Sequence, residues 1–392
     1  MKKIVFIPML SMFLFQAVFA QKKAAVDVDK EFDFAAKQYE GMLAGHTDLT
    51  KFPQSTKKNG EPDNRTSDWW CSGFFGGSLW YIFEFTGEDK WKLAADKWTR
   101  ALEKEKNNTS THDLGFMLYC PFGNGYRLTK DTGYIEPMIT GANSLATRFN
   151  PDYGLIKSWE RHANCDYPVI IDNMMNLEFL FWAAKKSNDK KLYNIAVTHA
   201  DNTLKHHFRK DYSSYHVVCY EPGTKVFRKK THQGAADSSA WARGQAWALY
   251  GYTMMYRETK NKKYLKQAEG IAKFMINHPN LPADKIPYWD FDAPNIPNEE
   301  RDASAGAIMA SALLELSTFS PKNKTTYFSI AQQVLTSLSS DAYKAKLGEN
   351  NHFILKHSVG HKPGNSEIDT PIVYADYYYL EALLRYKHLI AK

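Results

Sequence analysis

Two aspartates stand where the chain could use them as acids. Asp113 lies in "THDLGF" and Asp172 in "PVIIDNMMNLEFLFWAA", each just ahead of a run patterned as a buried helix. If both enter one cleft, the charge on one carboxylate raises the pKa of the other. That leaves a proton donor near neutral pH, as general acid and base chemistry requires. The apolar run before Asp172 pushes the same way by desolvation, and a helix dipole would oppose it.

Side chains suited to sugars surround these acids in the sequence. "SDWWCSGFFGG" supplies Trp69 and Trp70, "IKSWERHANCD" supplies Trp159, and "IPYWDFDAP" supplies Trp289. "KTHQGAADSSAWARGQAW" adds His232, Gln233, Trp241, Arg243 and Trp247. Indole faces pack on sugar C–H surfaces, while Arg, His and Gln donate to hydroxyls or a carboxylate. Trp80 and Trp247 read equally well as core. Arg243 shares a helical face with Trp247, and in an internal helix it needs an anion or a polar cavity.

The elements that must position these residues repeat along the chain. Five turns, "FTGEDKW", "LTKDTGY", "KSNDKKLY", "ETKNKKY" and "SPKNKTTY", share a polar start, Asp or Asn, Lys or Thr, and a closing aromatic. Each separates two stretches whose apolar residues recur at three and four positions, the mark of a helical hairpin. Helices are predicted over 29–45, 73–85, 89–105, 114–128, 132–148, 173–187, 189–207, 238–257, 262–277, 303–318, 324–340 and 371–389. Six hairpins predict an all-α (α/α)6 toroid, which buries every apolar face without capping repeats; an open superhelix of the same pairs is the alternative. Only 212–222 reads as a strand. Asp68, Asp113, Asp172, Asp237, Asp302 and Asp369 each precede an even-numbered helix, where Asp is a preferred N-cap. Long segments enter the even helices and short turns leave them, so the even helices are expected to form the inner ring with the site at their N-termini.

Composition narrows the function classes. Residues 1–20, with Lys2, Lys3, an apolar centre and a Val18-Phe19-Ala20 exit, read as a secretory signal, which leaves 21–392 as one exported, periplasmic catalytic domain. No membrane insertion is expected after cleavage, and no cysteine follows the cleavage point to carry a lipid. Without Lys2 and Lys3 the formal charge falls from +7 to +5, which is no nucleic-acid footprint. Cys71, Cys120, Cys165 and Cys219 are widely spaced, and packed thiols are favoured over a disulfide or a metal site. No metal or cofactor is expected.

"THDLGFMLY", "VIIDNMMNLEFLFWAA", "THQGAADSSAWARGQAWALYGY" and "ADYYYLEALLR", in that order, resemble the unsaturated glucuronyl hydrolases of glycoside hydrolase family 88, from about Trp69 to the C-terminus. The resemblance implies an (α/α)6 barrel and hydration of the C4=C5 vinyl ether that polysaccharide lyases leave on a terminal uronate. It implies Asp172 as the acid and base, Asp113 as the second essential carboxylate, and His216, Gln233, Arg243 and Trp247 as substrate contacts. Trp70 and Trp159 are expected to stack on the unsaturated oligosaccharide. The segment 356–369 is expected to be a basic loop, either solvated or binding sulfate through Ser358 and Lys362, which would favour glycosaminoglycan disaccharides. Unsaturated rhamnogalacturonyl hydrolysis, conventional glycoside hydrolysis by the Asp113 and Asp172 pair, and non-catalytic glycan binding are the alternatives.

Overall fold

The computed structural model of the protein describes residues 26–162 and 164–391; the expected signal over 1–20 lies outside them. Twelve α-helices run in order among the described residues. They are α1 (Val28–Gly45), α2 (Ser72–Thr86), α3 (Asp89–Arg100), α4 (Asn124–Thr129), α5 (Ile135–Ala146) and α6 (Leu177–Ser187), followed by α7 (Lys190–His206), α8 (Ala242–Thr259), α9 (Lys262–Asn277), α10 (Ala303–Phe319), α11 (Lys324–Leu338) and α12 (Val373–Ile390). The even helices are apolar nearly all round, and α8, α10 and α12 are buried along most of their length. The odd ones bury a single stripe, as in α3 and α9, and cover them from outside. The ring closes where α12 packs against both α10 and α2. This is the (α/α)6 barrel.

The short turns work in two steps. An inner helix ends on a left-handed residue, Gly87 (φ 70°), Lys130 (φ 61°), Asn188 (φ 56°) or Lys260 (φ 55°), whose N–H reaches back to a carbonyl of the last turn. The Asp or Asn of the repeat then caps the next outer helix: Asp189 accepts from Lys191 N in α7, and Asn261 from Lys263 N in α9. Capping is thus a property of these turns. Of the six aspartates expected to cap the inner helices, Asp302 alone does so, accepting from Ser304 and Ala305 N–H. The other five are freed for other contacts.

The second inner helix departs from α geometry. Ahead of α4 its first half is a π-helix, Gly115–Gly123, holding Pro121, which has no N–H to give to a regular ladder. The third inner helix, α6, is likewise preceded by a 3-10 stretch, Ile171–Asn176.

Strands gather at the entry side of the inner helices. They form the pairs β1 (Phe52–Thr56) with β2 (Pro62–Arg65) and β3 (Phe149–Asn150) with β4 (Leu155–Ile156), and the three-stranded sheet β5 (Pro168–Ile170), β6 (Val217–Glu221) and β7 (Lys225–Lys230). A last hairpin, β8 (Ser358–His361) with β9 (Ser366–Thr370), replaces the loop expected over 356–369. Cys165 and Cys219 are disulfide-bonded, contrary to the expectation of packed thiols, because antiparallel pairing of β5 with β6 puts Cys219 opposite Pro168 and brings Cys165 alongside. Cys71 and Cys120 are buried free thiols.

Candidate active site

A cavity of about 390 Å³ opens among the N-terminal ends of the inner helices, lined by Asp113, Asp172, Trp70, Trp159, Gln233 and Arg243 together with His232, His361, Glu367 and Tyr374. Strand pairing places its central acid. Ile171 N–H donates to His216 O as β5 runs beside β6, so Asp172, one residue on, meets the His216 ring. His216 Nδ1 accepts from the backbone N–H of His232 (3.2 Å) and Gln233 (3.1 Å), so the proton of the neutral ring sits on Nε2. Nε2 faces Asp172 Oδ2 at 3.7 Å. Burial, with His232 and Arg243 nearby, pushes His216 well below the usual histidine range and keeps it neutral.

Asp113 approaches from the adjoining inner helix because Gly115 permits it. A Cβ on Gly115 would lie 2.6 Å from Asn176 Oδ1 and 2.8 Å from its Cα, so no larger residue lets the two segments meet. Asn176 Oδ1 accepts from Phe116 N–H (3.1 Å), and its Nδ2 points to Asp113 Oδ1 at 3.5 Å. His112 adds a constraint. Its Nδ1 lies 2.8 Å from Ser158 O, a contact only an N–H can make, so in the neutral ring Nε2 is an acceptor. That acceptor faces Asp113 Oδ1 at 3.2 Å, a contact that suits a protonated Asp113.

The electrostatics agree with this geometry. Burial lifts Asp113 to about 7, opposed by its contacts to Asn176 and Thr111. Burial also lifts Asp172 to about 7; Arg243 opposes the rise, and the charge on Asp113 adds to it to a lesser degree. Desolvation, more than mutual repulsion, therefore makes both groups acids of near-neutral strength. His112 goes the other way, to about 3, by burial and the Arg148 charge.

Arg243 is held more tightly than a free substrate contact would be. At the start of α8 it donates to Asp302 Oδ2 (3.2 Å) and to the carbonyls of Val359 and Gly360, beneath Trp241 and Tyr374. Asp302 is the anion its burial required, and Arg243 ties α8, α10 and β8 together at the cavity wall. Gln233 Nε2 donates to Gly360 O (2.9 Å), so both residues set the β8–β9 hairpin in place.

Three expected contacts do not reach the cavity. Trp247 is fully buried between Phe116 and Tyr378, so it is core, packed beneath the site. Ser358 is buried in β8, paired with Thr370, and its hydroxyl has no hydrogen-bond partner among the described residues. Lys362 turns away to Glu299 (2.5 Å) and Glu300 and lies over the Trp289 ring, so its charge is neutralised. Sequence reasoning passed over His112, Tyr374 and Glu367. His112 adjoins Asp113, and Tyr374 opens α12 in "IVYADYYY", but Glu367 had no local cue.

The comparisons with known proteins point the same way. The family model described as Glycosyl Hydrolase Family 88 matches residues 45–387. An unsaturated glucuronyl hydrolase of Formosa agariphila is 48% identical over 375 residues, 95% of this chain and 93% of that protein. An unsaturated chondroitin disaccharide hydrolase of Streptococcus pyogenes is 31% identical, covering 92% of this chain and 91% of the other. A crystal structure of an unsaturated glucuronyl hydrolase specific for heparin superimposes with a TM-score of 0.91 at 50% identity, covering 93% of this chain and 98% of that one. Barrel, paired carboxyls and near-full-length similarity together place this chain in glycosyl hydrolase family 88.

Proposed function

We propose that the protein is an unsaturated glucuronyl hydrolase, acting on the disaccharides and short oligosaccharides that lyases release from glycosaminoglycans. One observation carries the reading: two buried carboxyls, both near 7, face one cavity, with a neutral His216 beside Asp172. The names of the relatives support the substrate class, since they act on unsaturated glucuronyl and chondroitin disaccharide substrates.

The side chains suit the hydration. Protonated Asp172 gives its proton to C4, the C4=C5 π pair forms the new C–H bond, and the ring oxygen shares the positive charge left at C5. Water adds at C5 and returns a proton to the Asp172 carboxylate. The hemiketal then opens, and the hemiacetal formed at C1 breaks down to release the next sugar. The His216 Nε2–H stabilises the Asp172 carboxylate between the two transfers. Asp113, its proton directed at His112, holds substrate hydroxyls without adding a second charge. Loss of the double-bond absorbance with lyase-made disaccharides tests this, and persistent absorbance with every uronate-terminated substrate would overturn it.

The lysine-led apolar start supports export to the periplasm, with 21–392 as one catalytic domain. The Cys165–Cys219 pair supports the same compartment, since disulfides persist where the surroundings are oxidising.

A further inference from the structure

The β8–β9 hairpin borders the cavity, and the charged side chain it places there is an acid. Its cations are engaged elsewhere: Lys362 on Glu299 and Glu300, His357 on Asp369 (2.5 Å), and Lys356 on Asp341 O (2.9 Å). Glu367 instead lines the cavity beside Ser366, His361 and Gly360. Its Oε1 accepts from Gln54 Nε2 at 2.7 Å. Among the described residues Oε2 has no protein donor, and it lies against Gly360, where any Cβ would collide with it.

Backbone geometry shows that the placement is enforced. Glu367 has φ +52°, a left-handed conformation disfavoured for a residue with a side chain and kept where the surroundings over-determine it. Arg243 acts on Glu367 as it does on Asp172, which sets the two acids on one stretch of wall. Burial raises Glu367, while Gln54, Arg243 and Arg65 oppose the rise.

The hydration step leaves Glu367 unused. The uronate ring must lie over Asp113 and Asp172, and it carries a carboxylate of its own, which Glu367 repels. The cavity toward the hairpin is then left for the sugar to which the uronate is linked. Resting on the hydration reading, we propose that Glu367 determines specificity for that leaving sugar, accepting a hydroxyl or ammonium donor and excluding a sulfate. This reverses the sulfate preference expected of the same segment, because the cation that motivated it faces away.

Specificity of this kind is a difference between substrates, and a built-in repulsion is an effective way to create it. The test uses unsaturated disaccharides that differ only on the leaving glucosamine: N-acetyl, free amine, N-sulfo and 6-O-sulfo. Glu367→Gln keeps the shape and an acceptor for Gln54 while removing the charge. Native protein should prefer the unsulfated pair, and the variant should raise the sulfated-to-unsulfated ratio of kcat/KM by about tenfold or more, mainly through KM of the sulfated sugars. A ratio unchanged within about twofold would make Glu367 a packing residue. Native preference for the sulfated pair would also overturn the proposal. If native protein hydrates none of the four, the hydration reading fails separately; calorimetric binding of the same sugars to Asp172→Asn, with and without Glu367→Gln, then supplies the ratio.

Discussion

The two ends of the barrel bury acids in opposite ways. At the entry end Asp113 and Asp172 lie beside neutral rings, and the nearest guanidinium, Arg243, is engaged by Asp302 and two carbonyls. At the exit end a cavity of about 450 Å³ is walled by Tyr81, Glu178, Tyr250, Glu381 and Arg385. There Arg257 bridges Glu178 (2.5 Å), Glu258 (3.0 Å) and Glu315 (2.8 Å), and Arg385 pairs with Glu315 (3.0 Å) and Glu381 (3.3 Å). Glu315 is as deeply buried as Asp172, yet the two guanidiniums hold it below the usual carboxylate range. Burial makes a proton donor only where no cation answers it. Asp376 adds a boundary to that lesson: burial lifts it to about 7 as well, but Ile354 N–H, Leu355 N–H and the Tyr39 hydroxyl bind it inside the core, so it is an acid without a substrate.

The largest effect that tests this contrast lies at the entry end. Asp172→Asn should lower kcat by about 10²-fold or more, since an amide cannot give and recover a proton. Retention of a tenth of the native rate would break the comparison. The donor is the protonated form of a group near 7, so native activity should fall as pH rises through about 7. Asp113→Asn should be severe too and should move that limb.

Next in size is the exit end. Arg257→Ala leaves three acids without their shared cation and should cost about 3 to 5 kcal/mol of stability in denaturant titrations, with the rate per folded molecule nearly unchanged. Equal loss of rate and stability would erase the division of labour between the ends.

A smaller effect separates the ends by pH. In the folded chain Asp113 and Asp172 bind protons more tightly than in the unfolded chain, so their contribution favours folding at low pH and declines as pH rises from about 4 toward 7. Thermal melts of Asp113→Asn and Asp172→Asn at pH 5 and 8 should show a gain over native protein at pH 8 that is reduced at pH 5. A gain larger at pH 5 would reverse the assigned direction. Smallest is Lys362→Ala. With its charge held by Glu299 and Glu300, it should shift stability by about 0 to 1 kcal/mol and leave the ratio of sulfated to unsulfated turnover unchanged within about twofold.

The barrel was legible because local rules write it: apolar spacing marks each helix, and the repeated turns mark each reversal. The acids were legible because their segments carry recognisable runs. What escaped the sequence depends on partners far along the chain. Lys362 meets Glu299 and Glu300 some sixty residues earlier, and nothing around it signals that it is neutralised. Cys165 finds Cys219 through the β5–β6 pairing, which short strands in loop-like sequence do not announce. Trp247 and Arg243 share a helical face, yet one is core and the other lines the wall, because they lie at different depths along α8. The six aspartates looked alike as caps. Only the observed helix starts separate Asp302, which caps α10, from Asp172, which lies in the 3-10 stretch before α6.

The closure of the ring by α12 fixes an order of events. The last helix supplies Tyr374 to the cavity wall, Asp376 to the segment before β8, and Glu381 to the exit-end network. It also meets the first helix, through Tyr379 to Glu31 (3.0 Å) and Lys387 to Asp29 (2.8 Å). A ribosome must therefore finish nearly the whole chain before the pocket can assemble, and contacts separated by some 350 residues must be made last. Until then the earlier hairpins lack their final wall, so the catalyst comes into being only when its two ends meet.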